Sequence, residues 1–341
     1  MSLRSALMRI LSDGAFHSGP EIGRALGVTR AAVSKAVGAL VESGTEIHRV
    51  SGRGYRLETA FEPLDRNRML ALLGADEKLI GGLQVLEEVD STSLELLRRP
   101  GTTARGLVCI AESQSGGRGR RGRNWVATPY ANLMLSLAWC FEEGLSAISG
   151  LSLAAGVATA RALRAFGVED IGLKWPNDLL WSERKLGGLL VDLRGEASGP
   201  CLVVAGIGIN VCIAERDGRT IDQPWIDLAT ILGGTLDRNR LAALLIRHLV
   251  EMLHRFERDG LAPFREEWIA YHRFQGRRVR LTGAGSASEG VVQGVDQNGA
   301  LLVRDDAGNL NAFYSGEISL RHAAVAPAAT AAPADKGVRR T

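Results

Sequence analysis

Residues 114–125 read Gln-Ser-Gly-Gly-Arg-Gly-Arg-Arg-Gly-Arg-Asn-Trp, a stretch that neither a packed helix nor a buried strand can absorb. Gly117, Gly119 and Gly122 leave the backbone free to fold tightly, and Arg118, Arg120, Arg121 and Arg123 add four permanent positive charges. The segment therefore has to be a loop, rich in donors, suited to a phosphate or a carboxylate. Gly117 to Gly122 also spells G-x-G-x-x-G, but the dinucleotide fingerprint has to open a helix. Here Asn124-Trp125 and Pro129 lead into an apolar run at 132–140 that reads as a buried strand. An RGG-like nucleic-acid segment or a solvated loop stays open on this motif alone.

A second constellation lies at Lys174-Trp175-Pro176-Asn177-Asp178 and Arg184-Lys185-Leu186-Gly187-Gly188-Leu189. Pro176 disfavours helix at the residue before it and removes a donor, which predicts a rigid bend. The bend presents Lys174, Asn177 and Asp178 at the end of one strand, and Lys185 precedes a second at 186–191; the two read as a hairpin. Two lysines, an Asn and an Asp around one bend suit an anion and a metal, although both lysines could be ordinary surface residues. Arg-Gly-Arg-Arg-Gly-Arg-x-Trp, Lys-Trp-Pro-Asn-Asp, Lys-Leu-Gly-Gly-Leu and Gly-Ile-Gly-Ile-Asn (206–210) follow in an order that resembles the bacterial biotin protein ligases. With the N-terminal segment described next, the resemblance is to the bifunctional form, ligase and biotin operon repressor together, over residues 3–321.

The N-terminal 60 residues read as a winged helix-turn-helix. Leu3, Leu7, Ile10 and Leu11 recur at helical spacing. Ser18 or Pro20 starts a short helix that Gly27 ends. Thr29 caps a helix over 30–43 with Ala32, Val33, Ala36, Val37 and Leu40 inward. Residues 46–57 alternate around Gly52 and Gly54 as a hairpin wing. Arg30, Ser34 and Lys35 on the second helix of the motif, and Arg49, Arg53 and Arg56 on the wing, stand where DNA would lie. A protein-docking use of the same module stays open.

The central region, 66–270, mixes strands at 83–89, 107–111, 132–140, 171–175, 186–193 and 201–209 with amphipathic helices at 148–166 and 237–257. This pattern predicts an α+β sheet covered mainly on one face. Ser91-Thr92-Ser93 follows the first strand and reads by itself as a helix cap. Residues 276–321 alternate in four strands, with Asn298-Gly299 a strong hairpin signal, and predict a small SH3-like β-barrel. The tail, 323–341, is Ala/Pro-rich and is expected to be disordered.

Composition excludes more than it selects. Of 341 residues, 45% are hydrophobic and 23% charged, ordinary for a globular chain, and a net charge of +3 is too small to establish a nucleic-acid partner. Cys109, Cys140, Cys201 and Cys212 lack C-x-x-C spacing and sit in apolar runs, as buried thiols of a reducing cytoplasm do. No H-x-x-x-H pair suggests zinc. No apolar run approaches a membrane span.

The resemblance implies chemistry in which biotin and ATP are substrates with Mg²⁺. Biotinyl-5′-AMP forms, and biotin then passes to a lysine of the biotin carboxyl carrier protein of acetyl-CoA carboxylase. It also implies a homodimer, formed on biotinyl-5′-AMP as corepressor, that binds operator DNA and represses biotin synthesis. Residue by residue it implies a biotin site of Ser91, Thr92, Ser93, Gln114, Arg118, Gly119, Arg120 and Lys185. Lys185 and Arg120 would be catalytic. ATP and adenylate would meet Arg121, Arg123, Trp125, Lys174, Asn177 and Asn210, and Asp178 would face the metal. Ser93 stands where the family pattern has Asn. The alternatives are a biotin-sensing regulator without catalysis and a lipoate ligase, which shares the general fold without this arginine loop.

Overall fold

The computed structural model of the chain describes residues 2–42, 44–100, 103–195, 199–283, 286–314 and 319–322. The predicted disordered tail lies outside the described residues. The N-terminal unit consists of α1 (Leu3–Leu11), α2 (Gly19–Leu26), α3 (Arg30–Glu42) and the hairpin β1 (Ile47–Val50)–β2 (Gly54–Leu57). Each boundary has a local cause. Ser18 and Glu21 close a capping box on α2, and Gly27 ends it at φ 66°. Thr29 Oγ1 accepts from Ala32 N–H at 3.2 Å at the start of α3. Leu7, Leu11, Ile22, Val33, Val37 and Leu40 form a core separate from that of the larger unit.

The larger unit adds α4 (Arg66–Leu73), β3 (Gly82–Val89), α5 (Thr92–Leu97), β4 (Leu107–Gln114), β5 (Asn132–Phe141) and α6 (Leu151–Phe166). There follow β6 (Ile171–Lys174), β7 (Asp178–Trp181), β8 (Arg184–Gly195), β9 (Cys201–Asn210), α7 (Glu215–Gly218), α8 (Leu228–Leu232), α9 (Arg238–Asp259) and α10 (Ala262–Tyr271). Its seven-stranded sheet runs β3-β4-β5-β9-β8-β7-β6, parallel only at β3–β4. The hairpin expected at 174–191 is instead a three-strand meander, because β7 inserts between the two expected strands. Its four residues, Asp-Leu-Leu-Trp, are too short to show a period. Central β5 is buried along its whole length, since α6 and α9 cover one face and α5 part of the other. That arrangement is the expected one-sided α+β sheet.

The C-terminal strands are β10 (Arg278–Gly283), β11 (Ser286–Val295), β12 (Leu301–Arg304), β13 (Leu310–Phe313) and β14 (Ser319–His322). They form one antiparallel sheet, β13-β12-β11-β10-β14. No pairing between β13 and β14 closes it among the described residues, so the expected barrel is an open sheet there. Val279, Leu281, Val292, Val295, Leu301 and Val303 join the main core, which fixes this unit beside α10 and the end of β6. Among the described residues no helix is long and apolar enough to cross a membrane.

Candidate functional site

The strand ends of the large sheet surround a cavity of about 810 Å³. Every residue expected to meet biotin, nucleotide or metal lines it: Ser91, Thr92, Ser93, Gln114, Arg118, Gly119, Arg120, Arg121, Arg123, Trp125, Lys174, Asn177, Asp178, Lys185 and Asn210. They come from segments up to 119 positions apart, Ser91 to Asn210, brought together because β4, β5, β9 and β8 are neighbours.

One end is neutral and hydrogen-bonded. Ser91 caps α5, accepting from Leu94 N–H at 3.5 Å, which accounts for the cap reading of Ser-Thr-Ser. Ser91, Thr92 and Ser93 are all buried. Thr92 Oγ1 lies 3.0 Å from Gln114 Oε1 and 2.7 Å from Ser136 Oγ. On β9 the alternation of a strand explains Gly-Ile-Gly-Ile-Asn: Ile207 and Ile209 enter the core, while Gly206, Gly208 and Asn210 line the cavity. A Cβ at Gly208 would come to 2.8 Å of Trp125 Cε2, so the indole rests on bare backbone.

The middle is charged. Opposite Leu180 and Leu179 stand Lys185 and Gly187, leaving Leu186 as the extra residue of a bulge. Bulges re-aim side chains beside sites, and here Lys185 Nζ meets Asp178 Oδ1 at 2.7 Å. The lysine also stands 5.7 Å from the Trp125 ring centre. A Cβ at Gly188 would touch its Nζ at 3.6 Å. The segment around Trp225 is tied alongside, Lys185 N–H donating to Pro224 O at 2.9 Å and Ile226 N–H to Lys185 O at 3.0 Å.

The arginine loop closes the other side. It forms one short 3₁₀ turn, Arg120–Gly122, and opens no α-helix, so the dinucleotide reading fails on structure as on sequence. Arg121 sits at φ 59°, a left-handed conformation costly for a residue with a Cβ. Arg118 pairs with Asp192 Oδ2 at 2.6 Å. Burial holds the Asp192 carboxyl above its ordinary pKa despite that partner. Burial, then repulsion from Arg121, lowers the pKa of Arg120, with Asp178 opposing the shift.

Several expected nucleotide residues also build the wall. Asn177 Nδ2 donates to Leu189 O at 2.6 Å, and Asn210 Nδ2 donates to Ile226 O at 3.1 Å. Sequence reasoning missed Ser136, Trp225, Arg273, Phe274 and Arg277, all in the lining. Ser136 did carry a signal, a hydroxyl inside an otherwise apolar strand. The others arrive through tertiary packing, Arg277 pairing with Glu183 at 2.8 Å across the rim. On the N-terminal unit Arg30, Ser34, Lys35, Arg49 and Arg53 are exposed, and Arg53 lies 4.1 Å over the Phe16 ring.

Comparison with known proteins agrees with this arrangement. The biotin/lipoate A/B protein ligase family model matches residues 85–210, the biotin protein ligase C-terminal domain matches 274–321, and an HTH domain matches 3–56. The chain is 41% identical to the bifunctional ligase/repressor BirA of Escherichia coli, covering 93% of this chain and 97% of that one. It is 33% identical to the biotin–[acetyl-CoA-carboxylase] ligase of Mycobacterium tuberculosis, over 69% of this chain and 88% of that one. The biotin protein ligase of Aquifex aeolicus, solved with biotin and ATP, superimposes with a TM-score of 0.60 at 28% identity, over 71% of this chain and 99% of that one. Similarity that runs almost end to end through helix-turn-helix, ligase domain and C-terminal sheet leaves one assignment: the chain belongs to the bifunctional ligase/repressor BirA family of biotin protein ligases.

Proposed function

We propose that the protein activates biotin with ATP, transfers it to a lysine of a biotin carboxyl carrier protein, and represses biotin synthesis as a DNA-binding dimer. In the first step a biotin carboxylate oxygen attacks the α-phosphorus of ATP, the bond to the β-phosphate breaks, and pyrophosphate leaves. In the second the acceptor's ε-amine attacks the carbonyl of biotinyl-5′-AMP, AMP leaves, and the amine loses a proton. The observation that carries this reading is one cavity with a neutral hydroxyl-and-amide end, a central Lys185–Asp178 pair and an arginine-rich side.

The difficulty of the first step is holding two anions together, which calls for preorganised cations. Lys185 is assigned to the reacting carboxyl and α-phosphate, its position set by Asp178. Arg118, Gly119 and Arg120 would close over biotin and the new phosphodiester. Ser91, Thr92, Ser93 and Gln114 would take the ring, and Trp125 would stack on adenine. Arg121, Arg123, Lys174, Asn177 and Asn210 would stand on the nucleotide side.

Among the described residues no three His, Cys, Asp or Glu side chains group as a metal cage. One carboxylate plus phosphate oxygens and water is nevertheless a donor set that Mg²⁺ accepts, and Asp178 fits it. Magnesium held there would neutralise charge on the departing pyrophosphate.

Beyond Leu189, β8 pairs only with β9 among the described residues. An open edge of this kind can add a strand from a second copy. Asp192 on that edge holds Arg118, which supports a dimer whose stability depends on the state of the loop. Arg30, Ser34, Lys35 and Arg53 are proposed to face operator DNA. A reaction that consumes ATP suits a cytoplasmic setting. The deciding experiment incubates the protein with ATP, a carrier domain and either biotin or lipoate, and weighs the carrier. Biotin's mass increment is expected; lipoate's increment would convert the reading to lipoate ligase, and no increment would leave a sensor.

A further inference from the structure

We propose that Ser136 is a positioning residue: it sets the direction of a row of hydroxyl hydrogen bonds and so makes Ser93 an acceptor toward the ligand's ring. The inference rests on the biotin reading above. It follows from counting protons. Thr92 N–H lies 2.7 Å from Gln114 Oε1, which fixes the orientation of that amide, because an NH₂ cannot accept there. Thr92 Oγ1 lies 3.0 Å from the same oxygen. Gln114 Oε1 has no proton to give, so the single hydroxyl proton of Thr92 goes to it.

Ser136 Oγ, 2.7 Å from Thr92 Oγ1, then has to donate to Thr92. With its proton so committed, Ser136 accepts from Ser93 Oγ at 2.9 Å. The row runs one way, Ser93 to Ser136 to Thr92 to Gln114. Reversing one member alone would set either two protons or two sets of lone pairs against each other in a buried contact, at the cost of an unmade bond. Ser136 is 0% exposed, so water does not substitute at the centre of the row.

The consequence reaches the cavity. Ser93 has lone pairs but no proton to offer a ligand, and a Cβ at Gly206 would come to 2.6 Å of its Oγ, so the glycine keeps that oxygen approachable. Gln114, its oxygen occupied, has only its Nε2 protons left. The floor thus presents an acceptor at one place and a donor at another. That polarity matches a cyclic urea, with N–H donors flanking a carbonyl acceptor. A ring offering an oxygen where the urea has N–H meets two sets of lone pairs.

The test compares biotin with the two cyclic carbamates in which one or the other ring N–H is replaced by oxygen. Wild type should reject one carbamate by roughly 10–100-fold in Kd. In Ser136→Ala the Ser93 hydroxyl is released and can turn its proton to the ring. Biotin Kd should then rise about tenfold while kcat at saturating substrates changes less than about threefold, and the discrimination should shrink about tenfold. A discrimination unchanged from wild type overturns the role of Ser136. If Ser136→Ala does not fold, Ser93→Ala decides: it removes the terminal oxygen at the cavity wall, should lose the same discrimination, and overturns the proposal if it keeps it. Failure of the wild type to form biotinyl-adenylate overturns the ligase reading and this inference together, whereas normal adenylate formation with unaltered preference in the variants overturns this inference alone.

Discussion

The ring end of the cavity and the arginine loop solve opposite problems. Thr92, Ser93, Ser136 and Gln114 are neutral, share their protons internally and sit on strands and a capped helix. The loop concentrates Arg118, Arg120, Arg121 and Arg123 on glycine-rich backbone with a left-handed residue at Arg121. Arg118 reaches out of it to Asp192. The first region is complete before a ligand arrives. The second carries like charges whose repulsion an anion relieves, so its best-ordered state should be the one holding biotinyl-adenylate. Ordering it costs roughly 1–2 kcal/mol per residue in backbone entropy, which only a ligand touching both regions offsets well. A neutral floor can select, and a charged loop can respond.

The sharpest way to break this division is through Lys185, which stands between the two regions. Lys185→Ala should slow adenylate formation by ~10²–10³, the size of losing one preorganised donor, while biotin binding to the intact floor weakens far less. Near-normal pyrophosphate release would remove Lys185 from the chemistry. Arg120→Gly takes away a loop cation and leaves the floor alone. Adenylate should still form but dissociate about 10–100-fold faster, the scale of a charged hydrogen bond, with carrier selectivity and ligand-induced dimerisation falling together. Tight retention and normal dimerisation in that variant would show that loop and dimer surface are not linked.

Acid probes the packed body and leaves the arginine loop charged. His272 is 4% exposed, stacked on Trp268 at 4.4 Å, and burial lowers its pKa to about 3. Both ring nitrogens lack partners among the described residues. The unfolded chain, titrating near 6.5, takes up the proton first. The stability from neutral His272 is therefore complete above that pH and is lost progressively as pH falls toward about 3. At pH 5 the loss should be about 2 kcal/mol, read by denaturant unfolding, and His272→Gln should flatten that slope. The smallest effect is expected furthest from the cavity. Lys35→Ala should leave biotinylation unchanged and reduce the salt slope of operator binding by about one. Unchanged operator binding across a salt series would favour the docking use of the winged helix.

Much of the site was legible because its chemistry is written in contiguous runs. Gly-Arg clustering marks a ligand loop whatever surrounds it, and Lys-Trp-Pro-Asn-Asp marks a bend. Caps at Ser18 and Thr29 were equally plain, since a cap depends on neighbours one turn away. The strand β7 was not legible: four residues show no period, and they are a strand because β6 and β8 flank them. The open C-terminal sheet has the same origin, as closure depends on pairing between distant segments and not on the alternation within each.

Ser136 shows where the boundary falls. From the sequence by itself came the residue types, the local turns and the order of motifs, because dihedral preference, capping and hydrophobic period act over a few residues. That order was enough to identify the family. The protein's tertiary structure alone decided that a serine on β5 would bridge Thr92 and Ser93, that a bulge would turn Lys185 onto Asp178, and that Arg277 would reach the rim from the C-terminal unit. Those outcomes depend on which strands become neighbours and in what register. Register is set by the burial of whole faces, a quantity spread over the entire chain and visible in no single stretch of it.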